Sequence, residues 1–316
     1  MPSTPPFTSL PIQPSGPRGN AWGLFGIKDE LGMLNRLTPE TTLSATKEIE
    51  HGIRIATDWP MNMPKVPCFG RQKFHQHIFH KVPRTVNDDI LTLNTQSSTQ
   101  WDGFRHFGYQ DHKVYFNGCE QEEVMNSERN GIHVWVQNGG VVGRGILLDY
   151  AAWAKSQGIT PALLSTTEIT VSELDAIAAF QNVTFQPGDI LFIHSGFVKS
   201  LERLPEEEAS AYAAINPPPA IGVKSCEESL KWIWEKEFAA VAGDMPAFEA
   251  LPFQSKTHWM HEWLLAGWGM PIGEFFDLEK LAEECGRLKK WTFFFSSVPL
   301  NVPGGVASPP NGVAIL

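Results

Sequence analysis

The apolar positions of the chain follow two rhythms. Runs of five or six residues rich in β-branched and aromatic side chains read as strands at Ile90–Thr95, Gly145–Asp149, Asp189–His194, Phe238–Gly243 and Trp291–Ser296. Between them lie helix signals. Thr38-Pro39 places a capping hydroxyl before a proline at the first helical position, and Gly52 follows as a stop. Ser172 stands as a cap before Glu173–Phe180, a helix is predicted over Val223–Glu237, and Asp277 caps Leu278–Cys285 with Gly286 as its stop. A further helix is predicted from about Lys256 to Ala266, where the aromatic content predicts deep burial. Strands and helices alternate, which gives an α/β or α+β class; the pattern alone does not choose between them.

Residues 1–20 break this pattern. They hold six prolines and few core-forming side chains, so they read as an extended arm, either disordered or laid over a neighbouring surface. Residues 21–316 show no internal repeat and no linker, so they read as one domain, long enough to bury a core without disulfides or metals.

Composition narrows the function classes. Lys and Arg total 25 against 35 Asp and Glu, a net charge of −10 that opposes binding of phosphate backbones, so no nucleic-acid partner is expected. No apolar run reaches the roughly 20 residues of a membrane span, so no membrane partner is expected either. The opening residues lack the charged start and apolar stretch of a secretory signal, which makes the cytoplasm the expected location. Cys68, Cys119, Cys226 and Cys285 are scattered, with no spacing for a thiolate zinc site or a disulfide framework.

The candidate chemistry lies in two stretches. If the strand from Ile90 continues, Gln96, Gln100 and Asp102 share one face, with His106 just beyond. Two amide oxygens and a carboxylate could then converge; the alternative is a polar strand end. In the second stretch His258 and His261 are one helical turn apart, and Glu274 sits in the apolar run Met270–Phe276, where a carboxylate needs a partner. A histidine in an aromatic helix also serves as an ordinary core residue. His75 and His77 have strand spacing but no acidic anchor, and Ser195 lacks the elbow of a serine hydrolase. Trp101, Phe104 and Phe107 flank the first stretch and suit a flat, aromatic small-molecule substrate, although they could equally be core. Arg105 could hold a substrate carboxylate bidentately or pair with a surface acid.

Several blocks, in order, resemble the cyclase family of metal-dependent hydrolases, whose members include kynurenine formamidases, isatin hydrolase and trans-dienelactone hydrolase. They are Asp29–Asn35 with Leu37–Glu40, Gly70-Arg71, Arg144–Asp149, Val241–Asp244 with Phe248-Glu249, His261–Leu265 leading to Ile272–Glu274, and Pro299–Asn311. The family's hallmark, HxGTHxDxPxHF, falls on Gln96–Phe107. Thr99, Asp102, His106 and Phe107 match, while Gln96 and Gln100 replace two histidines, Ser98 the glycine and Phe104 the proline. The resemblance implies a swivelling β/β/α fold in a single domain, a homo-oligomer (dimer or tetramer) in which the N-terminal segment packs on the neighbouring subunit, and metal-assisted hydrolysis.

Both replaced histidines fall on metal-ligand positions of the family, and His106, His261 and Glu274 match positions that bind a second metal or move protons. A set of Gln96, Gln100 and Asp102 offers oxygen alone, which favours manganese or magnesium over zinc. Three outcomes stay open: a weaker divalent-metal site; no metal, with His106 or His261 as general base and Glu274 or Asp102 orienting it; or a pocket that only binds. The expected activity is hydrolysis of a small cyclic amide, aryl-formamide or lactone. The rivals are a lyase or cyclase acting without net hydrolysis, and a non-catalytic binding protein.

Overall fold

The computed structural model describes residues 3–316. Its centre is one nine-stranded mixed sheet: β1 (Arg54–Ala56), β2 (Gln100–Asp102), β3 (Val141–Asp149), β4 (Ile190–His194), β5 (Ala240–Gly243), β6 (Ile272–Glu274), β7 (Thr292–Ser297), β8 (Ala307–Ser308) and β9 (Gly312–Ile315). The spatial order is β1-β9-β7-β3-β4-β5-β6-β2-β8. Strands β3, β4, β5 and β6 run parallel, and the remaining pairings are antiparallel. The parallel strands are apolar throughout, as in Ile190–Ile193, because layers on both faces bury them. This is a single-domain α/β architecture.

The helix starts obey local chemistry more closely than the stops. Thr38 Oγ1 accepts the Thr41 N–H at 3.2 Å, with Pro39 opening the helix Pro39–Ala45. The next predicted cap moves by two residues: Thr170, not Ser172, caps Val171–Gln181, in a reciprocal box with Glu173. The helix predicted from Val223 begins at Glu227, because Gly222–Val223 are drawn into a short parallel pair with Glu168–Ile169. The last helix, Glu279–Leu288, passes through Gly286 and ends at Lys289 in the left-handed conformation.

Two larger corrections concern the candidate site. The strand predicted over Ile90–Thr95 spans Asn87–Thr92 and pairs only with His75–His80, as a ribbon apart from the main sheet. The helix predicted from Lys256 starts at Met260 and continues as a wide, π-type helix over Glu262–Trp268. Ser255 Oγ accepts the His258 N–H at 3.1 Å and turns the preceding residues out of helical register.

The proline-rich arm is laid over a surface of its own chain; its first two residues lie outside the described residues. Phe7 is buried and stacks on Trp263 at 5.8 Å, and Trp234 Nε1 donates to the Pro5 carbonyl at 2.8 Å. Gly19 has φ +71°, and a Cβ there would fall 2.0 Å from the Trp263 ring, so only glycine allows this approach. Among the described residues, no helix is long and apolar enough to cross a membrane.

Candidate active site

The site is built at the seam between β2 and β6. Their antiparallel register sets Gln100 opposite Glu274 and Asp102 opposite Ile272. Gln100, Asp102 and Glu274 therefore share one face, while Trp101 points to the other with Gly273. Gln96 reaches this face from a turn and not by strand alternation. Asn94 Oδ1 accepts the Gln96 N–H at 2.9 Å and the Asn94 carbonyl accepts the Ser97 N–H at 3.1 Å, which folds the chain back. Thr99 fastens the same loop: its Oγ1 donates to the Phe275 carbonyl at 2.6 Å and accepts the Trp59 N–H at 2.7 Å.

Both glutamines turn their amide nitrogens toward carboxylates. Gln96 Nε2 donates to Asp102 Oδ1 at 2.5 Å, and Gln100 Nε2 donates to Glu274 Oε2 at 2.6 Å and to Gln96 Oε1 at 3.1 Å. Two buried acceptors, Gln100 Oε1 and Asp102 Oδ2, have no hydrogen-bond partner among the described residues.

His261 is held from both ends. Its Nδ1 lies 3.0 Å from both oxygens of the fully buried Glu249, and its Nε2 lies 3.2 Å from Glu274 Oε1 and 3.7 Å from Asp102 Oδ2. His106 Nε2 lies 4.0 Å from the same Asp102 oxygen, and a fifth of the His106 side chain stays exposed.

These neighbours set the protonation states. Burial works against charge on His261, but Glu249, Asp102 and Glu274 outweigh it and raise the imidazole well above its ordinary range. Burial lowers His106, with Asp102 opposing, so this imidazole favours its neutral form. Burial would raise Asp102, yet the neighbouring His106 and His261 imidazoles and the Gln96 hydrogen bond hold it below the usual carboxylate range. Glu274 is raised, first by burial and then by the neighbouring Asp102 charge.

A wall of half-buried rings stands over the two histidines. Phe107 and Phe253 lie edge-on to His261 at 5.3 and 5.8 Å, and Trp259 contacts both phenyl rings. Among the described residues, the buried Trp259 Nε1 has no acceptor. Arg71, whose guanidinium stacks 4.5 Å over Phe69, donates through Nη1 to the Gln96 carbonyl.

Gln96, Gln100, Asp102, His106, Phe107, His261 and Glu274 thus come together, and four other sequence candidates do not. Trp101 is core: it packs on Phe276 and Phe295 and donates to Ser297 Oγ at 2.9 Å. Phe104 is core beside Phe116 and Trp135. Arg105 is buried against Gly304, where a Cβ would lie 2.5 Å from its Nη1, and it forms no hydrogen bond with any member of the cluster. His258 faces Trp263 and not the site. The sequence reading gave no role to Glu249, Arg71, Phe253 or Trp259. The first two sit in the matched blocks Phe248-Glu249 and Gly70-Arg71, so a signal existed; the other two are marked only by the fold.

Part of this cluster is a donor set for a divalent cation. Asp102 Oδ2, His106 Nε2 and His261 Nε2 lie within 4.8 Å of one another and form a group that could hold one. The unpartnered Asp102 oxygen supports the fit. Two imidazoles in the set remove the oxygen-only argument for magnesium, since imidazole with carboxylate suits zinc and manganese alike.

The model of the family described as putative cyclase matches residues 39–250, and the chain belongs to that family. A solved structure described as a novel cyclase is 28% identical, with a TM-score of 0.84 over 94% of this chain and 99% of its own. Isatin hydrolase A from Labrenzia aggregata, bound to benzyl benzoate, is similar in fold at 13% identity and a TM-score of 0.60, over 89% of this chain and 98% of its own. An isatin hydrolase bound to the product analogue thioisatinate has 13% identity and a TM-score of 0.59, over 88% of this chain and 99% of its own. No curated protein matches the chain.

Proposed function

We propose that the protein hydrolyses a small, flat amide, aryl-formamide or lactone. The observation that carries this reading is the pairing of two unlike histidines under an aromatic wall. Neutral, partly exposed His106 is suited to accept a proton from water. Charged His261, fixed by Glu249 and Glu274, is suited to stabilise the oxyanion that develops on the attacked carbonyl. Phe107, Phe253 and Trp259 offer faces and edges to a flat ring, and the Trp259 N–H offers a donor to a substrate oxygen. The molecules named in the two isatin hydrolase structures, benzyl benzoate and thioisatinate, are themselves aromatic.

A divalent cation is the second reading, favoured by the lone Asp102 oxygen. It would be held by Asp102, His106 and His261, and when bound it would supply Lewis acidity and a more acidic water. The glutamine amides argue the other way, because they already satisfy Asp102 Oδ1 and Glu274 with N–H donors.

Two measurements test these readings. Formyl-anilides and aryl lactones are screened by product mass, which rises by one water on hydrolysis. His106→Ala is expected to reduce turnover by about 100-fold or more with unchanged circular dichroism. A fully active variant would sink the assignment; ligand-induced thermal stabilisation without turnover would support a binding protein instead. Elemental analysis of protein purified without chelator decides the metal, with near-stoichiometric zinc or manganese supporting the cation.

A further inference from the structure

Behind the active site lies a hollow that neither the catalytic cluster nor the aromatic wall uses. Its walls are the segment Trp59–Cys68 and the two short helices Phe197–Glu202 and Glu206–Ala213. The enclosed part holds about 90 Å³, and with its mouth the hollow reaches about 550 Å³. Trp59, Cys68, Leu201, Tyr212 and Ala213 form its buried lining.

The polar atoms of that lining are already engaged or neutral. Trp59 Nε1 donates to Glu202 Oε1 at 2.8 Å, and Tyr212 Oη donates to the Pro219 carbonyl at 2.9 Å. Burial pushes the Cys68 thiol up to about 11, so it stays uncharged. Lys65 and Glu206 are exposed and stand at the mouth, together with Glu202, which Trp59 and Lys199 already occupy. A charged group brought inside would give up its water and meet no free partner. An apolar group gains by leaving water. Dry apolar cavities of about 150 Å³ take benzene, a size that falls between the enclosed part of this hollow and the whole of it.

We propose that this hollow is a second small-molecule site: it takes an uncharged apolar molecule of one ring, and the bound ring braces the active-site loop. The wall and the loop are tied at several points. Trp59 stacks on Phe275 at 5.9 Å, and Phe275 follows Glu274 in the chain. Thr99 Oγ1 accepts the Trp59 N–H and donates to the Phe275 carbonyl. Ser98 Oγ donates to the Pro60 carbonyl at 3.2 Å, and Arg71, just beyond Cys68, donates to the Gln96 carbonyl. A ring seated against Trp59 therefore holds in place the partners of Gln96, Ser98 and Thr99, and local opening of that loop becomes rarer.

Titration of the full chain with 4-fluorotoluene, followed through its fluorine resonance, tests this. The readout is binding, so a failure here leaves the hydrolase reading standing. Saturable binding of one molecule per chain is expected, with slower amide exchange over Gln96–Gln100. The charged analogues 4-fluorobenzoate and 4-fluorobenzylamine are expected to bind more weakly by about tenfold or more. Ala209→Trp fills the hollow from a helix and Val66→Trp fills it from the facing segment. Each is expected to weaken binding by about tenfold or more, with far-ultraviolet dichroism unchanged. Trp259→Ala, in the wall over the two histidines, is expected to leave binding unchanged. Absence of saturable binding, wild-type affinity in a folded filled variant, a charged analogue that binds as well, or loop exchange that does not slow overturns the proposal. Binding lost in Trp259→Ala overturns it too, and places the ring in the active site.

Discussion

Glu249 touches His261 through both its oxygens and, among the described residues, faces nothing else that titrates as closely, so it sets the charge of that imidazole. Glu249→Gln is expected to lower turnover by about tenfold to 100-fold and to move the pH profile, since the imidazolium loses its strongest anionic neighbour. An unmoved profile would assign Glu249 to packing alone. The glutamines carry the second prediction at this scale. Gln96→His with Gln100→His would replace two amide donors by imidazoles and is expected to raise zinc retained through dialysis to near one per chain. The readout is elemental analysis, and a double variant that retains no zinc would count against a cation site at Asp102, His106 and His261. Single residues were legible where chemistry is unusual for its surroundings. Glu274 and His261 are polar groups in apolar sequence, Asp102 is the carboxylate of the hallmark motif, and all three meet. Trp101 and Phe104, which the sequence leaves open between substrate contact and core, are core, because alternation in β2 and packing against Trp135 decide where a ring points, and neither is visible in a residue's type.

The N-terminal arm and the π-type helix form one unit at the scale of elements. Phe7 and Gly19 close over Trp263, and Trp22 Nε1 donates to the Ala266 carbonyl at 2.7 Å. That helix carries His261 at its first turn, so the arm backs the site without entering it. Phe7→Ala is expected to cost about 3 kcal/mol, read as a lower denaturation midpoint and faster proteolysis of the arm. Unchanged stability would mean that the stacking contributes little. Local signals located three of the four parallel strands and the Thr38 cap, because β-branched runs and capping hydroxyls act over a few residues. They failed at Lys256–Trp259, where a serine turn overrides helical content, and at Thr92, where the ribbon ends and the Asn94 turn begins.

At the scale of the whole molecule, His194 clamps three elements at the carboxyl ends of the parallel strands. Its Nδ1 lies 2.9 Å from Asp149, at the end of β3, and its Nε2 lies 3.2 Å from Glu279, at the start of the last helix. Burial disfavours its charge, but the hydrogen bonds to Asp149 and Glu279 outweigh burial and raise its pKa to about 10. The folded chain therefore keeps a proton that the unfolded chain releases above its ordinary 6.5. The stabilisation is complete below that value and is lost as pH rises toward 10. Thermal midpoints are expected to fall between pH 7 and 10 in the wild type, and less steeply in His194→Gln; equal slopes would remove the clamp from the account. By itself the sequence determined the class, the family and the inventory of polar groups, because composition, periodicity and motif order are properties of the chain alone. Only the tertiary structure decided which of those groups share a face and which way the glutamine amides turn. It also decided that Glu249 holds His261, and that the ribbon pairs apart from the main sheet. Those facts depend on register between strands distant in sequence and on the turns that link them, and no local pattern encodes that geometry.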